Sequence, residues 1–598
     1  MRNLRLSMLL PLAAMLTAPA AAQSYRDRLP EDEILYFLLP DRFENGDTAN
    51  DRGGLKGDRL VTGYDPTHKG FFHGGDLAGV TRRLDYIQAL GATAIWVAPI
   101  FRNKPVQGPA GQESAGYHGY WVTDFTQVDP HFGTNAEFEA LVAAAHARGI
   151  KVYMDIIANH TADVIQYREC GGCDYRSRAD YPYGRKGGAK GEAINPGFAG
   201  DQIQTSENFA RLARPDYAYT PFVPAAEKNV KVPAWLNDPI YYHNRGNSTF
   251  AGESSLLGDF AGLDDLMTEN PRVIAGMIEI FGSWIDRGID GFRIDTARHV
   301  NPEFWAAFTP AMLERAKARG IPNFHIFGEV ADPDTSALAR HTRVDRLPAV
   351  LDFAFARAVN AVSAGETGTD KLAAVFAADP LYEGGEATAR RLPTFLGNHD
   401  QGRAAFFLRK ANPQAGPEEL LARDQLAHAM LLLLRGVPTI YSGDEQGFIG
   451  DGDDQNARED MFASKVAVYN DNRLLGTDRT NATASFDTGH PLFREIATLS
   501  KLRRAHPALT RGRQVTRFAS DKPGLFAVSR FDPATGAEIL IAFNSNSQPW
   551  TGNVEVEAGS ARFTALAGAC PATAAAPGSI PLSLPAFGYA VCAAGKPQ

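Results

Sequence analysis

Eight short apolar runs of β type recur along the chain, separated by stretches with helical periodicity, and this alternation restricts the fold to parallel βαβ architecture. The runs are Ile34–Leu39, Ala94–Ala98, Lys151–Ile156, Gly291–Asp295, His325–Glu329, Val350–Phe353, Pro393–Gly397 and Thr439–Ser442. Helix-like segments such as Ala136–Arg148, Val273–Arg287 and Asp424–Leu434 lie between them. Eight strands with intervening helices predict an α/β fold of the (β/α)8 TIM-barrel kind. A doubly wound open sheet gives the same local alternation, so the count alone does not choose between them.

The interval after the third run is too long for a simple crossover. Residues 161–263 are rich in Gly, Pro, Asn and Tyr and lack helical periodicity, as expected of an inserted loop domain. After residue 512 the pattern changes to short strands with turn signals (LFAVSRF, EILIAFN, WTGNVEVE, FGYAVCA), an expected C-terminal antiparallel β-sandwich over 513–598. The barrel is then built from 23–160 and 264–512. Residues 1–22 read as a secretory signal peptide: Arg2 and Arg5 precede an apolar run from Met8 to Leu16, and Ala20-Ala21-Ala22 precedes Gln23. The expected location is secreted or periplasmic, with no membrane association after cleavage. In that oxidising setting the four cysteines read as two local disulfides, Cys170–Cys173 and Cys570–Cys592, with a zinc site or redox dithiol as the competing reading of CGGC. Sixty Lys and Arg against 69 Asp and Glu, without any basic block, exclude a nucleic-acid partner.

Three acidic residues stand at or just past the end of an apolar run: Asp295 in GFRIDTARH, Glu329 in HIFGEVAD and Asp400 in LPTFLGNHD. In a barrel all strand C-termini converge on one face, where the active site sits. Helix capping explains a lone Asp at such a place. It does not explain three carboxylates, two of them close to Arg293, His299 and His399. Paired carboxylates suit glycoside hydrolysis, in which a neutral acid protonates the departing oxygen and an ionised one attacks. Arg293, two residues before Asp295, faces the same side of the strand and favours an ionised Asp295. Phe327 and Val330 give Glu329 an apolar setting suited to an acid.

Read together, these motifs resemble the α-amylase family of glycoside hydrolases (family 13). DIIANH (Asp155 to His160), GFRIDTARH (Gly291 to His299), GEV (Gly328 to Val330) and FLGNHD (Phe395 to Asp400) appear in the family's order, with LDDLMTENP, YHGYW and DRFENGD also matching. The resemblance implies Asp295 as nucleophile, Glu329 as general acid/base and Asp400 as the group that clamps sugar hydroxyls. It implies that His118, His160, His299 and His399 contact substrate, that Tyr120 stacks on the sugar ring, and that Arg293 and Arg403 anchor the carboxylates. Arg298 stands where these enzymes usually carry Lys, and the two are not interchangeable.

Asn45, Asp47, Asn50 and Asp51 in NGDTAND form a dense oxygen-donor loop suited to a hard cation such as calcium, although a solvated Asx-rich turn explains the same stretch. The loop is similar to the N-terminal calcium site of cyclodextrin glucanotransferases and cyclomaltodextrinases, which implies Gly74 and Asp76 as further ligands. A second ion, as in many α-amylases, would use Asn159, Asp265 and the carbonyl of His299. The expected activity is retaining hydrolysis of α-1,4-glucosidic bonds in starch and maltooligosaccharides, with α-glucan as the partner. The alternatives are a cyclomaltodextrinase, neopullulanase or glucanotransferase of the same family and, more remotely, a non-catalytic glucan-binding protein.

Overall fold

The computed structural model describes residues 25–595, so the signal peptide expected over 1–22 lies outside the described residues. Seven parallel strands hydrogen bond side by side: β1 (Leu35–Leu38), β2 (Ala94–Val97), β3 (Lys151–Ile157), β4 (Gly291–Asp295), β5 (His325–Gly328), β6 (Pro393–Thr394) and β7 (Val437–Tyr441). Their order is β5-β4-β3-β2-β1-β7-β6. The segment around Val350 joins the two edges. Gly328 and Leu351 exchange N–H bonds with Ala349 and Gly328 at 3.0 Å, and the Asp352 N–H donates to the Pro393 carbonyl at 2.9 Å. The sheet therefore closes into a (β/α)8 barrel, which excludes the open-sheet alternative.

The run expected as a strand over Val350–Phe353 is reduced to one parallel bridge, Gly328 to Val350. Its sequence carries a competing signal. The Asp352 carboxylate accepts the Phe355 N–H and starts the helix Phe353–Ala364 inside the expected strand. Elsewhere the apolar runs are as continuous as a barrel wall requires, since every residue of β1 to β5 and of β7 is buried. The return helices begin on side-chain caps. Thr134 accepts the Glu137 N–H ahead of α1 (Asn135–Ala147), and Asn270 accepts the Arg272 N–H ahead of α2 (Pro271–Asp286), where proline fills the first position.

Between β3 and α2 the chain leaves the barrel through a narrow neck, in which His160–Thr161 pairs antiparallel with Asp264–Asp265. The intervening residues hold little regular structure but share a small core of their own. Cys173, Tyr183, Phe209, Tyr217 and Tyr219 pack together there, and the Cys170–Cys173 disulfide forms at its edge. Beyond the barrel, Arg513–Phe518, Leu525–Phe531, Glu538–Asn544, Tyr589–Ala594 and Phe563–Ala567 form an antiparallel sheet in that spatial order. A two-stranded ribbon, Trp550–Glu555 with Ser579–Leu584, covers one face. Leu540, Ala542, Val554, Ile580 and Leu582 fill the space between, and Cys570 is disulfide-bonded to Cys592. No helix among the described residues is long and apolar enough to cross a membrane.

Candidate active site

The chemistry gathers where β3, β4 and β5 end. Arg293 and Asp295 lie two residues apart on β4 and so face the same side. The fully buried Arg293 guanidinium reaches three carboxylates: Nη1 is 2.8 Å from Asp155 Oδ1 on β3 and 2.8 Å from Asp295 Oδ1, and Nη2 is 2.9 Å from Glu329 Oε2. The first two contacts are hydrogen bonds. The third is a charge contact, and Nη2 makes no hydrogen bond among the described residues. Glu329 follows β5, where its own N–H donates to the Ile294 carbonyl, and its carboxylate accepts the Thr296 N–H at 3.1 Å. Thr296 adopts a left-handed backbone (φ 48°), a strained conformation for a β-branched residue and one that active sites often retain. Gly328 is required just before Glu329, since a Cβ there would sit 2.8 Å from that of Ala297.

Burial pushes the carboxyls of Asp155, Asp295 and Glu329 up to about 7, against Arg293, which lowers each. Three acids around one cation do not all ionise together in a buried site, so the group titrates as a unit. Two members accept charge-assisted hydrogen bonds from Nη1 and are best held as anions. Glu329 lacks such a bond, so the shared proton is best placed on it. Asp400 differs. Burial raises its carboxyl, but His399, Arg458 and Arg293 outweigh that and hold it below the ordinary carboxylate range.

Asp295, Glu329 and Asp400 line one cavity of about 760 Å³, together with His118, Tyr120, His160, Arg298 and His299. The Tyr120 hydroxyl lies 2.7 Å from His399 Nε2 and 3.2 Å from Asp155 Oδ2, which fixes its ring in the cavity wall. His160 stacks on Phe260 (5.4 Å, 13°). Burial takes His160 and His399 down to about 3, so both are neutral near pH 7, and His399 gains the charge that keeps Asp400 ionised only in acid. His160 Nε2 and His399 Nδ1 are buried and find no hydrogen-bond partner among the described residues. His299 donates Nδ1–H to the Ser255 carbonyl at 2.8 Å, and Arg298 donates to the Ala331 carbonyl at 3.0 Å.

One assignment from the sequence is redirected. Arg403 forms no bond with Asp295, Glu329 or Asp400: it is fully buried and bonds Glu459 at 2.6 Å and Asp444 at 2.8 Å. The guanidinium that touches Asp400 belongs to Arg458, whose Nη2 is 3.0 Å from Oδ1 and which also pairs with Asp454 at 2.5 Å. No motif marked Arg458, because it enters from a turn 58 residues beyond Asp400.

The candidate calcium residues are brought together only in part. Asn45 Oδ1 and Asn50 Oδ1 are buried without a hydrogen-bond partner. Asn45 Nδ2 bonds Asp51 Oδ1 at 2.8 Å, and a Cβ on Gly74 would lie 2.6 Å from that same Asp51 oxygen. Two unsatisfied amide oxygens beside a carboxylate and the Gly74 backbone fit a hard cation. Asp76 is occupied otherwise: its oxygens accept the N–H groups of Gly46, Asp47 and Gly79 and the Asn50 amide. Asp47 is exposed and caps its own turn at Ala49. At the second location Asn159 Oδ1 is likewise unpartnered, but Asp265 Oδ2 is bonded by His243 Nδ1 at 2.6 Å. Glu269 and Asp265 outweigh burial and raise His243 to about 10, so an imidazolium already lies against that carboxylate. Among the described residues no group of three or more His, Cys, Asp or Glu is arranged to hold a metal.

Comparison with known proteins follows the same lines. The chain is 49% identical over 548 residues to an alpha-amylase of Streptomyces lividans, an alignment covering 90% of this chain and 59% of that protein. It is 26% identical to a cyclomaltodextrin glucanotransferase of Klebsiella oxytoca, covering 88% of this chain and 72% of the relative. Among solved structures, an Anoxybacillus alpha-amylase superposes with a TM-score of 0.67 at 26% identity, covering 95% of this chain and 99% of that one. The alpha-amylase catalytic-domain family model matches residues 37–512, and the chain belongs to the alpha-amylase family.

Proposed function

We propose that this chain is an exported α-amylase that hydrolyses α-1,4-glucosidic bonds in starch and maltooligosaccharides with retention at the anomeric carbon. One observation carries the reading: Asp295, Glu329 and Asp400 line a single cavity and the first two share one buried guanidinium. Protonated Glu329 gives its proton to the glycosidic oxygen as Asp295 attacks C1, so the C1–O bond breaks and a glycosyl-enzyme forms. Glu329, now ionised, takes a proton from water, whose oxygen attacks C1 and releases Asp295. Asp400, held ionised, accepts hydrogen bonds from sugar hydroxyls. His160 Nδ1 faces the Asn159 amide N–H at 3.4 Å, so the unpartnered Nε2 carries the ring proton and can donate to a sugar hydroxyl, and the Tyr120 ring offers an apolar face to the sugar.

Asn45 and Asn50 oxygens, the Asp51 carboxylate and the Gly74 carbonyl would hold a calcium ion, which would tie the loop after β1 to the segment before the next helix. The two disulfides support export. Incubation with amylose, cyclodextrin and pullulan tests the activity. Rapid loss of iodine staining with mixed short linear products is expected. Cyclodextrin as the main product, or a marked preference for cyclodextrin as substrate, would replace the reading with a glucanotransferase or cyclomaltodextrinase.

A further inference from the structure

We propose that Arg42 is a positioning residue for the group that clamps the sugar: it acts on Asp400 through Arg458 and Tyr117, an assignment that rests on the glucan-hydrolase reading above. Arg42 stands in DRFENGD and Tyr117 in YHGYW, two motifs remote along the chain to which no role has yet fallen. Asp400 and Arg458 line the catalytic cavity, and Arg42 and Tyr117 do not. Arg42 is 3% exposed and Tyr117 1%, so neither touches substrate. Any part they play in the reaction is indirect.

Residues 458–467 belong to no helix or strand, so no ladder of backbone bonds fixes where Arg458 points. Arg42 supplies the missing support. Its Nε donates to the Arg458 carbonyl at 3.1 Å, and its own carbonyl accepts the Met461 N–H at 2.7 Å. It also supports the Arg458 side chain. The Arg42 guanidinium lies 3.9 Å from the centre of the Tyr117 ring, and the Tyr117 hydroxyl accepts Arg458 Nη1 at 3.1 Å. Arg458 is left with Nε on the His399 carbonyl at 2.9 Å and Nη2 on Asp400 Oδ1 at 3.0 Å. Two routes, one through backbone and one through Tyr117, therefore lead from Arg42 to the same guanidinium.

Arg42 is itself held fast. Nη1 and Nη2 donate to the Phe71 and Lys69 carbonyls at 3.1 and 2.8 Å, and Asp41 and Asp460 supply the opposing charge. Those carboxylates are anchored in turn. Asp41 accepts the His73 and Gly74 N–H groups at 2.9 and 3.1 Å, and Asp460 meets His73 Nδ1 at 2.6 Å. A cation kept only to neutralise Asp41 and Asp460 needs neither a flat face on Tyr117 nor Nε on Arg458. Lysine supplies the charge without the planar fork, which separates the two roles.

Arg42→Lys keeps the charge beside Asp41 and Asp460 but removes the Nε bond and the flat face. Tyr117→Phe removes only the hydroxyl that accepts Arg458 Nη1. Each is made in the full-length wild type and in Arg458→Met. The readouts are kcat/KM on maltoheptaose and the carboxyl titration of Asp400 by NMR, with melting temperature as a folding check. In the wild-type background each substitution should lower kcat/KM about fivefold and raise the pH at which Asp400 protonates. In Arg458→Met the same substitutions should change kcat/KM by less than about twofold, because the residue they act through is gone. Equal losses in both backgrounds overturn the proposal, and so does an Asp400 titration left in its wild-type place. Tyr117→Phe retains the ring and every charge, so it carries the comparison if Arg42→Lys does not fold. A well-folded wild type inert on maltoheptaose refutes the hydrolase reading instead, and the Asp400 titration still tests Arg42.

Discussion

Replacing Arg458 with methionine isolates what one guanidinium does for Asp400. Methionine keeps much of the buried stem but removes the bond to Asp400 Oδ1 at 3.0 Å, along with those to the His399 carbonyl at 2.9 Å and the Tyr117 hydroxyl at 3.1 Å. A hydrogen bond to a charged group contributes about 1.5–3 kcal/mol. The Asp400 side chain is 43% exposed, so water replaces part of the lost contact and the lower end applies. About 1.5 kcal/mol is roughly tenfold in rate, so kcat/KM on maltoheptaose should fall about tenfold. The titration of Asp400 itself should change in a defined direction. Arg458 helps to hold Asp400 below the ordinary carboxylate range, and without it Asp400 protonates at higher pH as the solution is acidified. Its carboxyl titration, followed by NMR, should therefore move upward. Arg403→Met is the control: it unpairs buried Glu459 and Asp444 and should cost about 3–5 kcal/mol of stability, with the Asp400 titration in place. An Asp400 titration unmoved in Arg458→Met, or moved in Arg403→Met, would refute the assignment of Arg458 to Asp400.

Glu329→Gln should lower kcat by about 10²–10⁴-fold with the melting temperature retained, measured by release of reducing sugar. The wild-type rate should decline as pH rises through about 7, because Glu329 is raised to that value and is competent as an acid only while protonated; a rate still climbing past that point would contradict the assignment. Chelation should lower the melting temperature and added Ca²⁺ restore it, by about 2.7 kcal/mol when the ion is a hundredfold above its Kd. Asn45→Ala should abolish that response, since Asn45 Oδ1 is one of the two unpartnered oxygens. Replacing Cys570 and Cys592 together with serine releases a cross-link across a sequence separation of 22 and should cost about 3 kcal/mol in denaturant unfolding.

What the sequence made legible, and what it did not, divides along one physical line. Arg293 was legible because strand geometry alone places it on the same side as Asp295, two residues away, and β4 is buried along its whole length. The barrel was legible for the same reason, since continuous apolar runs leave few other ways to bury both faces of a sheet. Asp352 shows the limit of run-counting: one capping residue inside an apolar stretch turned an expected strand into a single bridge and a helix start. Arg458 was not legible. Its position is not set by a local period, because it comes from a turn after the last barrel strand, 58 residues beyond Asp400.

The division has a consequence for how such a molecule can vary. The proposed proton-transfer groups stand at strand ends, where burial of Asp155, Asp295 and Glu329 around Arg293 ties each residue to the stability of the barrel. Most substitutions there leave an uncompensated buried charge. Gly171 and Gly172 belong to the loop domain, where the Cys170–Cys173 disulfide pins the chain outside that charge network. A Cβ at Gly171 meets nothing within 4 Å, so a side chain is added there at little cost to the fold. The loop domain can therefore vary while the buried charges of the barrel stay fixed: Gly171→Ala should leave both the melting temperature and kcat/KM on maltoheptaose unchanged.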